Sequence, residues 1–292
     1  KALPLEKRPE LDRWILSVLQ SLVRDINTQM EGYYLDKVVP PMLGFIDDLT
    51  NWYIRRSRRR FWKSDDSSDK ASAYATLYEV LTTFSKVIAP VLPFFAERLH
   101  QNLVVETGMA APGEDSVHLC AYPQPDEKRI DLHVEQAMAS VRQTVGLGRA
   151  LREKHKLKNR QPLATLTVVS TNEAVRKALT AHAELLEDEL NVKQVVALAD
   201  DAALATLTFK PNLKTLGKKL GKKLKDASAE IAAFTREQWA VLESGGSVTV
   251  QGEAILKDDV LVARTAKGEV VVESSGDLTV ALDTKVTEVL RR

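Results

Sequence analysis

The stretch of this sequence best suited to chemistry is a run of arginines among aromatic side chains. Residues 55–63 carry six cations and no acid, with aromatic residues at positions 52, 53, 61 and 62. Guanidinium groups bind phosphate oxygens through paired hydrogen bonds. Aromatic rings and guanidinium planes stack on unpaired bases. The pattern is therefore typical of a surface that binds nucleic acid.

Helical geometry divides these arginines into two sets. At about 100° per residue, the apolar face of the preceding helix continues through Arg56 and Arg60. We expect both to pair with buried carboxylates or to pack on a neighbouring domain, because an inward arginine needs a partner. Arg55, Arg58 and Arg59 point outward, where they reach phosphate. The alternative is a helix face that is merely solvated or covered by another domain.

Two further segments concentrate positive charge. The first spans residues 149–160, where Glu153 is the only acid, and the second spans 210–225 with no acid. A solvated basic face is the alternative for both. A membrane-bound amphipathic helix fits the second less well, because its apolar stripe is narrow and interrupted by glycine. The predicted RNA-docking residues in these segments are Arg149, Arg152, Lys156, Lys158, Arg160, Lys214, Lys218 and Lys219.

Signatures of catalysis are missing from the sequence. It contains no Walker-type phosphate loop, no Gly-x-Ser-x-Gly and no His-Glu-x-x-His. The single cysteine, Cys120, excludes an internal disulfide and a multi-thiolate zinc site. We therefore predict no catalytic residue and no metal ligand. A nucleophile built from Cys120 and His118 is the remaining enzymatic alternative.

Hydrophobic periodicity indicates which elements position these charges. Four amphipathic helices between residues 11 and 107 predict an antiparallel helical bundle. A fifth helix follows at about 131–156, where Gly146 and Gly148 indicate a close approach or a kink. From Pro162 onward strands alternate with helices, and the tail ends in antiparallel strands. The fold class is multi-domain, α and α+β. We expect a bundle over 1–125, a connecting helix and basic segment over 126–160, an α+β subdomain over 161–243 and a β-rich subdomain over 244–292.

Several segments resemble one known family. Leu11–Leu16, Ile46–Trp62 and Ile88–Glu97 are similar to the anticodon-binding bundle of isoleucyl-tRNA synthetases of the eukaryotic and type 2 bacterial form. Leu147–Arg152, Lys156–Leu163 and Asn212–Lys219 resemble the C-terminal extension of that form. The His-x-Gly-His and Lys-Met-Ser-Lys-Ser signatures of the catalytic domain are absent. The resemblance thus implies a non-catalytic C-terminal fragment of a larger ligase.

The resemblance also implies a function and partners. The fragment would bind the anticodon region of the isoleucine tRNA, so that the acceptor end reaches the catalytic domain of the same polypeptide. ATP and Mg²⁺ are expected only at that domain, and no cofactor is expected here. An assembly module, with a homodimer formed through the C-terminal region, is the alternative. The net charge of +1 means that RNA binding must use local charge concentrations. With one cysteine and no apolar leader, we expect a cytoplasmic protein without membrane contact.

Overall fold

The computed structural model describes residues 2–62, 67–200, 205–220, 223–266 and 270–285. The chain forms two compact units, which meet in sequence between Ala139 and Ser140. That boundary falls inside the segment 126–160, which the sequence predicts as a connection.

The first unit is helical, as predicted. Short 3₁₀ turns link its helices, and two of the helices continue without a break into π-helical stretches. The elements are α1 (Glu10–Glu31), α2 (Val39–Asp47), the π-helical Asp48–Ile54, α3 (Arg55–Trp62), α4 (Ser68–Ile88), α5 (Pro93–His100) and the π-helical Gln101–Val105. Helix α6 (Leu132–Lys154) begins in this unit and continues into the second.

Apolar residues spaced by three and four positions form the core of the first unit. On α1, Trp14, Ile15 and Leu19 are at most 2% exposed, because this spacing places them on one side of the helix. Phe45 of α2 and Phe84 of α4 pack with their ring centroids 5.0 Å apart. Helices α1, α2 and α4 thus form the packed core of the first unit, and α3 packs against α4.

The second unit mixes helices and strands, again as predicted. After α6 its elements are β1 (Leu163–Val169), α7 (Glu173–Ala181), α8 (Ala183–Leu190), β2 (Val192–Leu198), β3 (Ala205–Pro211), α9 (Leu213–Leu220), α10 (Leu224–Ala232), α11 (Arg236–Glu243), β4 (Val248–Val250), β5 (Glu253–Ile255), β6 (Val260–Ala266), β7 (Val270–Ser275) and β8 (Leu278–Asp283). The helices predicted over 213–225 and 227–243 are thus three helices within the described residues.

Strand pairing does not follow the subdomain boundary predicted at residue 243. A four-stranded sheet has the order β2-β1-β8-β7, in which β1 is parallel to β2 and antiparallel to β8. Strand β3 likewise pairs antiparallel with β6, across the same boundary. Both of these sheets therefore contain strands from either side of residue 243, whereas the third sheet, β4 with β5, lies after it. Periodicity identifies a strand, but it carries no information about the strand's partner.

Gly148 supports the predicted close approach on α6. A Cβ atom built on Gly148 would lie 2.5 Å from Cδ1 of Leu190, whereas one on Gly146 would meet nothing within 4 Å. Helix α6 therefore packs directly against the end of α8 at Gly148. This contact brings the end of α6 and its basic segment next to the carbonyl end of α8.

Candidate nucleic-acid interface

Arg60 anchors helix α3 to the core of the first unit. Its guanidinium donates to both carboxylate oxygens of Asp12, at 2.6 and 2.8 Å, and to Oδ1 of Asp69 at 2.9 Å. The side chain of Asp12 is fully buried and also accepts a hydrogen bond from the hydroxyl of Tyr53 at 2.9 Å. Burial opposes the charge on Arg60, but these carboxylate hydrogen bonds outweigh it and raise its pKa. The predicted pairing of Arg60 with a buried carboxylate is confirmed.

The three arginines predicted to point outward on α3 are all exposed. The guanidinium of Arg58 lies 5.5 Å from the ring centroid of Trp62, and that of Arg55 lies 5.7 Å from the ring of Trp52. Arg55 also donates from Nε to the carbonyl of Asn51 at 2.8 Å. Arg56, predicted inward, is half-buried. Helix α3, which Arg60 anchors to the core, therefore presents Arg55, Arg58 and Arg59 to solvent.

Arg152 is a correction to the predicted RNA-docking set. It is 1% exposed, and its guanidinium donates to the carbonyls of Lys158, Gln161, Leu190 and Asn191 at 2.9, 3.0, 2.6 and 3.2 Å. Among the residues that the structure describes, no carboxylate forms an ion pair with it. Burial lowers its pKa. An RNA phosphate has no access to this side chain, and Arg152 instead joins the basic loop to the end of α8.

The basic loop, residues 155–160, keeps its predicted cations on the surface. Lys156, Lys158 and Arg160 are exposed. The loop begins where α6 is closed by two hydrogen bonds, from Leu157 N–H to the carbonyl of Arg152 at 2.8 Å and from Lys156 N–H to that of Glu153 at 3.0 Å. Lys156 has φ +54°, a left-handed conformation that glycine usually occupies at this position. The loop is thus held at both ends and directs its cations outward.

Two predicted cations are already engaged with carboxylates. Arg149, whose side chain is 49% exposed, lies 2.5 Å from Glu189 Oε2. Lys219 donates from Nζ to Asp259 Oδ2 at 2.6 Å, and the side chain of Asp259 is only 3% exposed. Burial works to raise the pKa of Asp259, but hydrogen bonds from Lys219, Leu256 N–H and the Thr215 hydroxyl outweigh it and lower the pKa. Lys219 therefore stabilises the fold at this site.

The other two predicted lysines of the segment 210–225, Lys214 and Lys218, differ in what the structure shows of them. Lys214 is exposed near the start of α9, and its backbone N–H donates to Asn212 Oδ1 at 3.2 Å. The side chain of Lys218 lies outside the described residues. Of the three predicted lysines at 214, 218 and 219, Lys214 is therefore the one that, among the described residues, lies on the surface without its side chain anchoring the fold.

The geometry does not support the enzymatic alternative. The predicted partner of Cys120, His118, is exposed, and the histidine whose contact with the thiol the structure shows is His100, with Nε2 3.9 Å from Sγ. That nitrogen is also 2.8 Å from the carbonyl of Glu114, a contact in which it must carry the proton. It is therefore unable to accept one from the thiol. Burial raises the pKa of Cys120, which is the opposite of the lowered pKa that an activated thiol requires.

Trp62 is the feature that the predicted residue set omits. It is 74% exposed at the end of α3, beside the outward Arg58. An aromatic residue directly after a run of arginines was a usable signal, but the sequence does not distinguish a core tryptophan from a surface one at a helix end.

Comparison with known families defines the class of this protein. A family model described as "Anticodon-binding domain of tRNA ligase" matches residues 12–182, more than half of the chain. The chain belongs to this family of tRNA-ligase anticodon-binding domains. The anticodon-binding family implied by the resemblance is therefore confirmed.

The relatives are ligases for one amino acid. The isoleucine–tRNA ligase of Chlamydia caviae is 41% identical over 287 residues, and that of Chlamydia trachomatis serovar D is 43% identical over 285. Each alignment covers 96% of this chain and 27% of the relative. The chain thus spans about a quarter of the length of the curated relatives it matches. Within the part of the chain that the structure describes, no helix is long and apolar enough to cross a bilayer.

Proposed function

We propose that this chain is the tRNA-binding portion of an isoleucine–tRNA ligase and that it holds the anticodon stem-loop of the isoleucine tRNA. The observation that carries the proposal is the anchored helix α3, in a domain of the anticodon-binding family. Arg60 fixes the helix through Asp12, so that the backbone that carries the exposed arginines is already ordered before RNA binds. Because ordering a flexible segment opposes binding, such an arrangement favours phosphate contact.

The proposed RNA contacts come from both units. They are supported by exposure, by positive charge and, for the basic loop, by the fixed backbone around Arg152. The proposed contact residues are Arg55, Arg58, Arg59, Lys156, Lys158, Arg160 and Lys214. In this proposal ATP and Mg²⁺ act at a catalytic domain of the same polypeptide, in the cytoplasm, and the residues above only position the tRNA for it.

Fluorescence anisotropy with labelled tRNA tests the proposal. We expect binding of the isoleucine tRNA at low salt, with affinity that falls as salt rises, and weaker binding of a non-cognate tRNA. Replacing Arg55, Arg58 and Arg59 together by glutamine removes up to three phosphate contacts. The slope of log K against log salt should then decrease by about 2–3. Absence of binding at low salt would refute the proposal, and equal affinity for both tRNAs would reduce it to a non-specific anchor.

A matched control separates specific contact from a general change in charge. Lys128, Lys177 and Lys193 are exposed and lie outside the proposed contact set. Their combined replacement by glutamine removes the same charge, so the salt slope should stay close to that of the parent chain. Sedimentation velocity on the same preparation tests the further proposal of a homodimer, which would sediment at twice 32.5 kDa.

A further inference from the structure

Trp62 differs from every other tryptophan in the chain. The structure describes all four, and Trp14, Trp52 and Trp239 are 2%, 5% and 8% exposed, against 74% for Trp62. A tryptophan left in water keeps a large apolar surface available for a partner. Trp62 lies on the same helix as the outward arginines, so its partner should combine a flat apolar face with negative charge.

Arg58 places its guanidinium over one face of the Trp62 ring. Its guanidinium carbon lies 5.5 Å from the Trp62 ring centroid, one helical turn earlier, and both side chains are exposed. A cation above an aromatic ring is attracted by the ring's negative face. The contact limits the motion of both side chains and leaves the tryptophan ring presented together with a positive charge.

The backbone beneath Trp62 is held on two sides. The ring of Phe61 packs edge-on against Tyr74 with centroids 5.2 Å apart, and the Tyr74 hydroxyl donates to the Phe61 carbonyl at 3.4 Å. One residue earlier, Arg60 is bound to Asp12 and Asp69. These contacts hold the backbone at the end of α3 in place, and with it the position of the exposed Trp62 ring.

We propose that Trp62 and Arg58 form a stacking platform for an unpaired RNA base. A flat ring beside cations matches a nucleotide whose base is unstacked and whose phosphate is negative. A base pair inside a duplex is stacked on both faces and offers no open face to the ring. The inference rests on the proposed RNA-binding function and adds the place where a single-stranded base is held.

Intrinsic fluorescence tests the platform directly, because three of the four tryptophans are buried. An RNA hairpin with a seven-nucleotide loop should quench the emission on binding, and a blunt duplex of the same stem should quench it much less. In Trp62→Phe the quenching should disappear while most of the affinity remains, since phenylalanine also stacks. Trp62→Leu should bind the hairpin about 5- to 150-fold more weakly.

Controls distinguish failure of the platform from failure of RNA binding. Phe94 is 90% exposed in the same unit, so Phe94→Leu removes an exposed ring elsewhere and should leave hairpin affinity unchanged. Circular dichroism verifies that each variant keeps its helix content. If labelled hairpin binds with the same affinity to Trp62→Leu, or binds the parent chain without quenching, the platform is refuted while the proposed function stands. If no RNA binds at all, both are refuted.

Discussion

Replacing Lys156 by glycine should make the protein more stable and a weaker RNA binder. Lys156 has φ +54° at the position that closes α6. A left-handed conformation costs a residue with a Cβ about 1–2 kcal/mol, and glycine removes this strain. Glycine also gives the unfolded chain more conformational freedom, which offsets about 0.4–1 kcal/mol of the gain. The expected net stabilisation is about 0.5–1 kcal/mol.

The same substitution removes one of the cations of the basic loop. If Lys156 contacts a phosphate, the slope of log K against log salt should decrease by about 0.7–0.9. The two measurements are thermal unfolding followed by circular dichroism and tRNA anisotropy between 50 and 200 mM salt. A gain of this size corresponds to a rise in melting temperature of about 1–4 °C for a unit of this size.

Two control variants isolate the causes. Lys156→Asn removes the charge and keeps a residue that tolerates the left-handed region, so it should reproduce the loss of binding with a smaller gain in stability. Lys193→Gln removes an exposed charge from β2 and should change neither quantity. A lower melting temperature for Lys156→Gly would refute the strain argument. An unchanged salt slope would refute the phosphate contact.

Three other substitutions test the anchors. Arg60→Met leaves the fully buried Asp12 without its cation, so urea denaturation should show a loss of about 3–5 kcal/mol. Arg152→Lys replaces a fork that reaches four carbonyls by a single ammonium; we expect the melting temperature to fall and tRNA affinity to decrease, since the loop loses its fixed position. The lowered pKa of Asp259 means that its contribution to stability is complete above its ordinary pKa of 3.8 and is lost as pH falls through the depressed value. Asp259→Asn should therefore unfold with a weaker dependence on pH below about 4, measured by thermal melts in an acid series.

Periodicity predicted the helical first unit, the strands of the second and the two faces of α3, but not every helix boundary. The 3.6-residue repeat that buries Tyr53 also predicts Arg60 on the inner face and Arg58 on the outer one, and both predictions are confirmed. Local signals also remained unused: Thr235 and Gln238 form a capping box at the start of α11, which explains why the helix predicted over 227–243 is interrupted.

Long-range partners explain what the sequence did not reveal. Arg152 looks like its exposed neighbours Arg149 and Lys154, because its partners are backbone carbonyls in the basic loop after α6 and at the end of α8. Carbonyl groups occur at every residue and leave no mark in the sequence. Strand β1 likewise pairs with β8, more than a hundred residues away. Neither contact has a local pattern from which it could be predicted.

The near-zero net charge of the chain is compatible with basic surfaces because of where the carboxylates lie. Asp12 and Asp69 are used to hold Arg60, and Asp259 holds Lys219, so these acids neutralise anchoring cations. These three carboxylates therefore do little to cancel the positive charge of the exposed arginines on α3. Arg152 differs from the anchoring cations: among the described residues its partners are neutral carbonyl groups, which stabilise the guanidinium without cancelling its charge, so this charge adds to the potential of the basic loop. Placing a carboxylate at this site would stabilise Arg152 equally well but would weaken the attraction of the loop for phosphate.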